Sequence, residues 1–364
     1  MKIGFYGSSL LSSYWNGAAT YYRGVLKELH ARGHQITFYE PDAFDRQKHR
    51  DIEPPPYAEV KVYPATMEAV RGVIAEAARA DVVVKASGVG VFDDVLLEGV
   101  IAASRPEAIR IFWDVDAPAT LAELGSNPGH PLHAALRSLD VVLTYGGGPP
   151  VVEAYTKFGA QSCVPVYNAL DPETHHPVPP EERFRADLNF LGNRLPDREA
   201  RVEQFFLDAA ARLPERRFLI GGNGWGDKAM PPNVRDIGHV YTRDHNAFNT
   251  SPLAVLNIAR DSMATTGFSP ATRVFEAAGA GACLITDAWV GLELFVKEGE
   301  EVLVARDGRD VAEHLEALTP ARAKAIGDAA RARIAREHTY AKRGVQVDAL
   351  LRDEAAAKRQ RSVA

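Results

Sequence analysis

Between Asn257 and Gly291 the chain reads NIARDSMATTGFSPATRVFEAAGAGACLITDAWVG, and its residues fit for chemistry are Ser269, Thr272, Arg273 and Glu276. Ser is a favoured helix N-cap and Pro a favoured first helical residue. Ser269-Pro270 therefore predicts a helix start, with Arg273, Phe275 and Glu276 in the first two turns. The free N–H groups of such a helix end, beside a guanidinium able to fork onto phosphate, make an anion site. One turn on, Glu276 offers a carboxylate that accepts hydrogen bonds from a ribose. An ordinary capped helix with a surface ion pair fits the same residues.

The elements that must position these groups are short strands ending in polar loops. Asp187 to Leu191 leads into Gly192-Asn193-Arg194-Leu195-Pro196-Asp197-Arg198, followed by a helix through Arg212. Arg217 to Ile220 runs into Gly221-Gly222-Asn223-Gly224-Trp225. Asp236 to Val240 carries His239, and Pro252 to Ile258 leads back to the opening stretch. Open parallel sheets keep their ligands at the carboxyl ends of the strands. Arg194, Arg198, the turn of Gly222, Asn223 and Gly224, and the Ser269 helix then share one edge, an arrangement suited to a diphosphate. No Asp-x-Asp loop in this half offers to hold a divalent ion.

The amino half repeats the grammar. Lys2 to Tyr6 is a strand, and its loop runs from Gly7-Ser8-Ser9 to Asn16-Gly17. Ala18 to Arg32 has helical spacing, and Gln35 to Tyr39 completes a βαβ unit. The loop is not G-x-G-x-x-G, which counts against a dinucleotide fingerprint. Gly17 reads either as a point of close ligand or domain approach or as a plain turn glycine. Thr66 to Arg79 reads as a helix, and the strand Asp81 to Lys85 ends in Ser87-Gly88-Val89-Gly90. The helix Asp94 to Ala103 is followed by the strand Ala108 to Trp113, which ends in Asp114-Val115-Asp116. Two carboxylates there serve as a general base or bind sugar hydroxyls, or else cap the Thr120 helix. His130 and His133 fall in a Pro/Gly-rich loop and read as hydrogen-bonding residues, since no third metal ligand accompanies them.

At 364 residues the length suits two domains. Residues 1–170 form the first Rossmann-like domain, 171–186 (with His175 and His176) a proline-rich linker, and 187–339 the second. A last helix, about 340–357, is placed to return to the first domain. Hydrophobic content of 46% and charged content of 25% are those of a soluble globular protein. A formal net charge of -6 argues against general nucleic-acid binding. Met1 leads directly into a strand and no apolar run reaches membrane length, so a cytoplasmic protein is expected. Cys163 and Cys283 read as reduced thiols. The basic end Lys358 to Arg361 reads as a frayed tail or a weak contact with anionic lipid, so membrane contact is at most peripheral.

The order of parts, with YYRGVLKELHARGH, FWDVDAPATL, LDPETHHPV, FLGNRLPDRE, SPATRVFEAAGAGACLITDAWVGLELF and EHTYAKR, resembles the GT-B glycosyltransferases of the group 1 type, and within them the CgeB-like (spore maturation) family. The resemblance implies an α/β fold of two Rossmann-like domains whose parallel sheets face each other across an interdomain cleft. It also implies transfer of a sugar from a nucleotide diphosphate sugar, held by the second domain, to an unknown acceptor held by the first. No cofactor beyond that co-substrate, and no metal, is expected. By the resemblance Arg194 is a diphosphate-binding arginine, Arg198 falls near the family's companion lysine, and Glu276 matches the second of its paired glutamates, at the donor ribose. The first of the pair falls on Phe268, a departure bearing on donor-sugar recognition and on stereochemical course. Donor binding is thus expected at Arg194, Arg198, Gly222, Asn223, Gly224, His239, Ser269, Thr272, Arg273 and Glu276. Asp114, Asp116 and His130 are the candidate bases of an inverting reaction, and Ser8, Asn16 and Gly17 form an acceptor-side loop. A catalytically silent nucleotide-binding or scaffold protein of the same fold is the alternative.

Overall fold

The computed structural model describes residues 1–363, and the chain divides into two compact units. The first comprises Met1–Tyr167 and the chain from Tyr340 on. Its sheet is built from β1 (Lys2–Tyr6), β2 (Gln35–Asp42), β3 (Glu59–Pro64), β4 (Val82–Ala86), β5 (Ile109–Asp114), β6 (Val141–Thr144) and β7 (Cys163–Pro165). All pair in parallel in the order β3-β2-β1-β4-β5-β6-β7. Parallel strands buried on both faces read as continuous apolar runs, as in β4, VVVKA, where every residue is buried.

The strand order reverses between β1 and β4, so the loops Gly7–Gly17 and Ser87–Phe92 border the crevice at that switch point. The last helix, Tyr340–Val363, lies on the helix Ala19–Ala31 of the same unit. Glycines permit that approach: a Cβ on Gly24 would fall 2.2 Å from the Tyr340 ring, and one on Gly344 2.6 Å from Glu28.

The second unit, Asn168–Thr339, has its own six-stranded parallel sheet. It contains β8 (Leu188–Leu191), β9 (Phe218–Gly221), β10 (Val234–Asp236), β11 (Ala254–Asn257), β12 (Leu284–Asp287) and β13 (Leu303–Ala305), in the order β10-β9-β8-β11-β12-β13. Its core gathers Leu188, Phe206, Phe218, Leu256, Ile285 and Leu315. The proline-rich stretch after Asp171 packs onto this unit, with Phe184 buried beside Val240, Ala247 and Phe248.

Several local expectations are corrected. β3 and β13 were not anticipated, and a short helix, Pro131–Ala135, replaces the loop expected around His130 and His133. The strand expected at Asp236 to Val240 is Val234–Asp236, so His239 sits three residues beyond it, next to the left-handed Gly238 (φ 67°). The helix expected from Ser269 starts at Thr272, with Ala271 as its cap residue. Phe268 has φ 49°, and the Ser269 hydroxyl donates back to the Gly267 carbonyl (2.9 Å), a tight turn that delays the helix.

Two glycines in helices carry opposite expectations. A Cβ on Gly327 would lie 2.1 Å from the Gly281 carbonyl oxygen, a backbone atom that cannot step aside, whereas one on Gly72 meets nothing within 4 Å. Chemical denaturation should therefore show Gly327→Ala destabilised by about 1–3 kcal/mol. Gly72→Ala should be stabilised by about 0.5–1 kcal/mol.

Candidate functional site

At the carboxyl ends of β8 and β9, beside the β8/β11 switch point, two loops interlock. Gly192 N–H donates to the Gly221 carbonyl (3.0 Å), and Arg194 N–H to the Asn223 carbonyl (2.9 Å). Asn223 N–H in turn donates to Asn193 Oδ1 (3.0 Å), and the Trp225 indole to the Gly192 carbonyl (2.7 Å). Gly222 has φ 124°, and a Cβ there would sit 2.3 Å from the Gly192 oxygen, so only glycine allows the backbones to meet.

The interlock brings Arg194, Arg198, Gly222, Asn223 and Gly224 together, as the sequence suggested. Arg194 is already paired, with Glu199 (2.7 Å) and Asp227 (2.7 Å), and Lys228 bonds Glu199 (2.8 Å) and Glu203. Arg194 and Lys228 together hold the Glu199 carboxyl down at about 2. Arg198 Nη1 donates to the Asn193 carbonyl (3.2 Å). Asn223 Nδ2 is buried and makes no hydrogen bond, leaving both amide N–H donors to spare in the turn. Exposed His239 stacks edge-on with Tyr241 (4.5 Å).

Below this edge, Asp287 at the end of β12 accepts from Arg201 (2.6 Å) and from the Ala259 N–H (3.1 Å). It ties the helix Pro196–Val202 to the loop after β11. Sequence reading missed this residue, since a carboxylate ending an apolar strand has no local signature.

Arg273 and Glu276 do not stand free at a helix end. Arg273 Nη1 lies 3.3 Å from Glu276 Oε2 and 3.5 Å from Asn249 Oδ1, and the side chains are 12% and 6% exposed. Around Glu276 stand His175 Nε2 (3.7 Å) and His245 Nδ1 (3.9 Å). Burial raises the Glu276 carboxyl, but Arg273 and the two histidines outweigh it and hold the group below its usual value. Burial lowers both histidines, His245 to about 4. His175, His245 and Glu276 are also the residues able to hold a metal, with one ligand atom from each lying within 4.8 Å of the others. Phe268, at the position of the resemblance's first glutamate, packs its ring where a Cβ on Gly291 would be 2.3 Å away.

In the first unit the loop after β1 is braced from within. Ser8 Oγ donates to Asn16 Oδ1 (3.1 Å), and Asn16 Nδ2 to the Ser9 (2.9 Å) and Ser12 (3.1 Å) carbonyls. Ser8 and Asn16 are buried, so their side chains shape the loop, while Gly17 is exposed and a Cβ there meets nothing. The buried carboxylate of Glu40, absent from the sequence reading, accepts from Leu10 N–H (2.6 Å) and Ser9 Oγ (3.1 Å) and anchors the same loop.

Asp114 is 0% exposed and accepts from Tyr155 Oη (2.5 Å), Thr120 Oγ1 (3.0 Å) and Asp116 N–H (2.9 Å). Burial raises its carboxyl, against the pull of those bonds. It organises the end of β5 and is sealed from substrate; Asp116, half-buried, stands just outside it. His130 lines a cavity of ≈ 590 Å³ with Ser87, Phe92, Asp94, Thr120 and Glu123. Its Nδ1 accepts from Leu132 N–H (3.1 Å), which places the proton of the neutral ring on Nε2, facing Glu123 at 3.7 Å. His130 thus presents a donor to the cavity.

Residues 198–351 match a family described as Glycosyl transferase-like. No curated protein matches the sequence. Among solved structures, the chain is similar to a sucrose-phosphate synthase from Thermosynechococcus elongatus (14% identity, 98% of this chain and 100% of that one, TM-score 0.70). It is also similar to HepE from Anabaena in complex with UDP-glucose (14% identity, 97% and 100%, TM-score 0.68) and to the T4 phage enzyme BGT with its UDP-glucose substrate (12% identity, 96% and 98%, TM-score 0.62). At these identities the likeness is one of fold, the two Rossmann-like units of GT-B glycosyltransferases. The matched module and the fold are both those of glycosyltransferases.

Removing Arg273 leaves a buried carboxylate without its cation. Arg273→Ala should lose about 3–5 kcal/mol of stability in equilibrium denaturation. A loss under 1 kcal/mol would show that Glu276 does not depend on it.

Proposed function

We propose that the chain transfers a sugar from a nucleoside diphosphate sugar, bound at the carboxyl ends of β8 and β9 in the second unit, to an acceptor bound by the first. The observation that carries this reading is the interlock of Gly192–Arg194 with Gly221–Gly224. It sets two guanidinium groups and the spare Asn223 amide around one backbone turn beside a parallel-sheet switch point. The matched glycosyl transferase-like module, which begins at Arg198, supports it, as do the UDP-sugar complexes of the structural neighbours. The motifs LDPETHHPV and SPATRVFEAAGAG favour the CgeB-like branch.

Negative charge grows on the diphosphate as the glycosidic bond breaks, so cations aimed there beforehand stabilise the transition state more than the ground state. Arg198 and Arg194 supply them, in place of an ion between the phosphates. Arg194 exchanges its exposed Asp227 partner for phosphate at little cost, because solvated ion pairs contribute only about 0–1 kcal/mol. Glu276 faces a ribose only after giving up its pairing with Arg273. The acceptor lies in the cavity beside His130, whose Nε2–H orients an acceptor oxygen.

The alternative, a silent nucleotide-binding scaffold, draws on Phe268: its N–H is bonded to the Val290 carbonyl (2.6 Å) where the related motif has a carboxylate.

Calorimetric titration with UDP should give saturable binding, and Arg198→Ala should weaken it by about 1.5–3 kcal/mol, the worth of a charged hydrogen bond. Hydrolysis or transfer of UDP-sugars then separates enzyme from scaffold. Failure of every nucleoside diphosphate to bind would overturn the proposal.

A further inference from the structure

We propose that His175, His245 and Glu276 form a binding site for one divalent first-row transition ion, with zinc the best fit, inside the second unit. The site shares Glu276 with the proposed donor-ribose contact and uses none of the interlocked loop residues.

The residues come from three distant segments: the proline-rich stretch after Asp171, the start of the helix His245–Thr250, and the helix Thr272–Gly279. His175 and Glu276 are 2% and 4% exposed, and the two imidazole rings lie nearly parallel (21°) with centroids 6.0 Å apart.

Hydrogen-bond accounting fails here. Neither ring nitrogen of His175 makes a hydrogen bond, and neither does His245 Nδ1, although all three are buried. The neighbouring Asn246 side chain bonds the Thr174 carbonyl (2.9 Å) and the His176 N–H (3.2 Å), and it also interacts with His175. Each unsatisfied buried polar atom costs about 1–3 kcal/mol, so under-bonded ring nitrogens on two facing histidines point to an occupant.

The donor set says which occupant. His245 Nε2 lies 3.3 Å from the Val240 carbonyl, which fixes its proton there and turns a bare Nδ1 lone pair toward the carboxylate of Glu276. Two lone pairs facing each other repel unless a cation lies between them. A backbone carbonyl behind a ring nitrogen is also the usual support of a metal-bound imidazole. Two imidazoles and a carboxylate suit zinc, with a fourth position left for solvent.

Ligand atoms around tetrahedral zinc are about 3.3 Å apart, given bonds near 2.0–2.1 Å. His175 Nε2 lies 3.7 Å from Oε1 and His245 Nδ1 3.9 Å from Oε2, and one ligand atom from each residue lies within 4.8 Å of the others, a spread that side-chain rotation contracts to that spacing. Arg273 holds Oε2 of Glu276, leaving Oε1 toward His175, as hydrogen-bonded ligating carboxylates are commonly held. Its positive charge weakens affinity and favours an anionic fourth ligand. An ion here would clip the His175 segment to the helices beneath it.

Tag-free full-length protein, stripped with a chelator and dialysed, is titrated with Co(II) and separately with Zn(II). The expected result is uptake of about one equivalent per chain, a visible ligand-field spectrum of four-coordinate cobalt, and a raised thermal midpoint. His175→Gln and Glu276→Gln should abolish the cobalt spectrum while circular dichroism stays native, and His133→Ala, outside the cluster, should keep it. A folded wild-type protein that takes up no cobalt overturns the proposal and leaves water as the occupant. Uptake unchanged in folded His175→Gln overturns it as well. No nucleotide enters the measurement, so its outcome is independent of UDP binding.

Discussion

A parallel sheet sends every strand-to-helix connection out of one edge, and where β8 and β9 end that edge has no room for a side chain. Gly222, at φ 124°, lies against the Gly192 carbonyl, and the Gly192 and Arg194 N–H groups donate to the Gly221 and Asn223 carbonyls of the facing loop. Once that contact is made, the directions of Arg194, Asn223 and the helix from Pro196 follow from it. The sheet supplies position and the glycine supplies proximity. The charged side chains are left to adjust on a rigid backbone, which is the property a binding edge needs.

Two arginines in the same unit illustrate how burial sorts charge into work and support. Arg194 is part of a solvent-reaching, partly buried network with Glu199, Asp227 and Lys228, whose members trade partners at small cost. Arg273 faces Glu276 in a nearly dry setting, where losing either partner strands a charge. The sequence reading assigned both to the same anion. The structure separates them: the first remains able to meet a ligand, and the second is committed to the packing beneath it.

Much of the architecture was legible because buried parallel strands are apolar runs bounded by glycine and polar loops. β1, β4, β6 and the arginine loop after β8 all carry that signal. β3 was hidden by its alternation of charge and apolar residues in EVKVYP at the sheet edge, and β13 by having only three residues. Ser269-Pro270 looked like a helix start because local propensity is blind to the left-handed Phe268 and the Ser269 turn that postpone it. Asp114 looked available because a strand end suggests an open carboxylate, whereas Tyr155, Thr120 and the Asp116 amide close over it. The meeting of His175 and His245 with Glu276 had no sequence signature, since it joins segments far apart in the chain and depends on packing.

Backbone amide chemical-shift mapping of the isotope-labelled protein during a UDP titration tests the central claim most directly. The account predicts the largest shifts at Gly192 to Arg198 and Gly221 to Gly224, saturating together with one affinity. Shifts confined to the first unit, or none at the two interlocked loops while UDP binds, would contradict it.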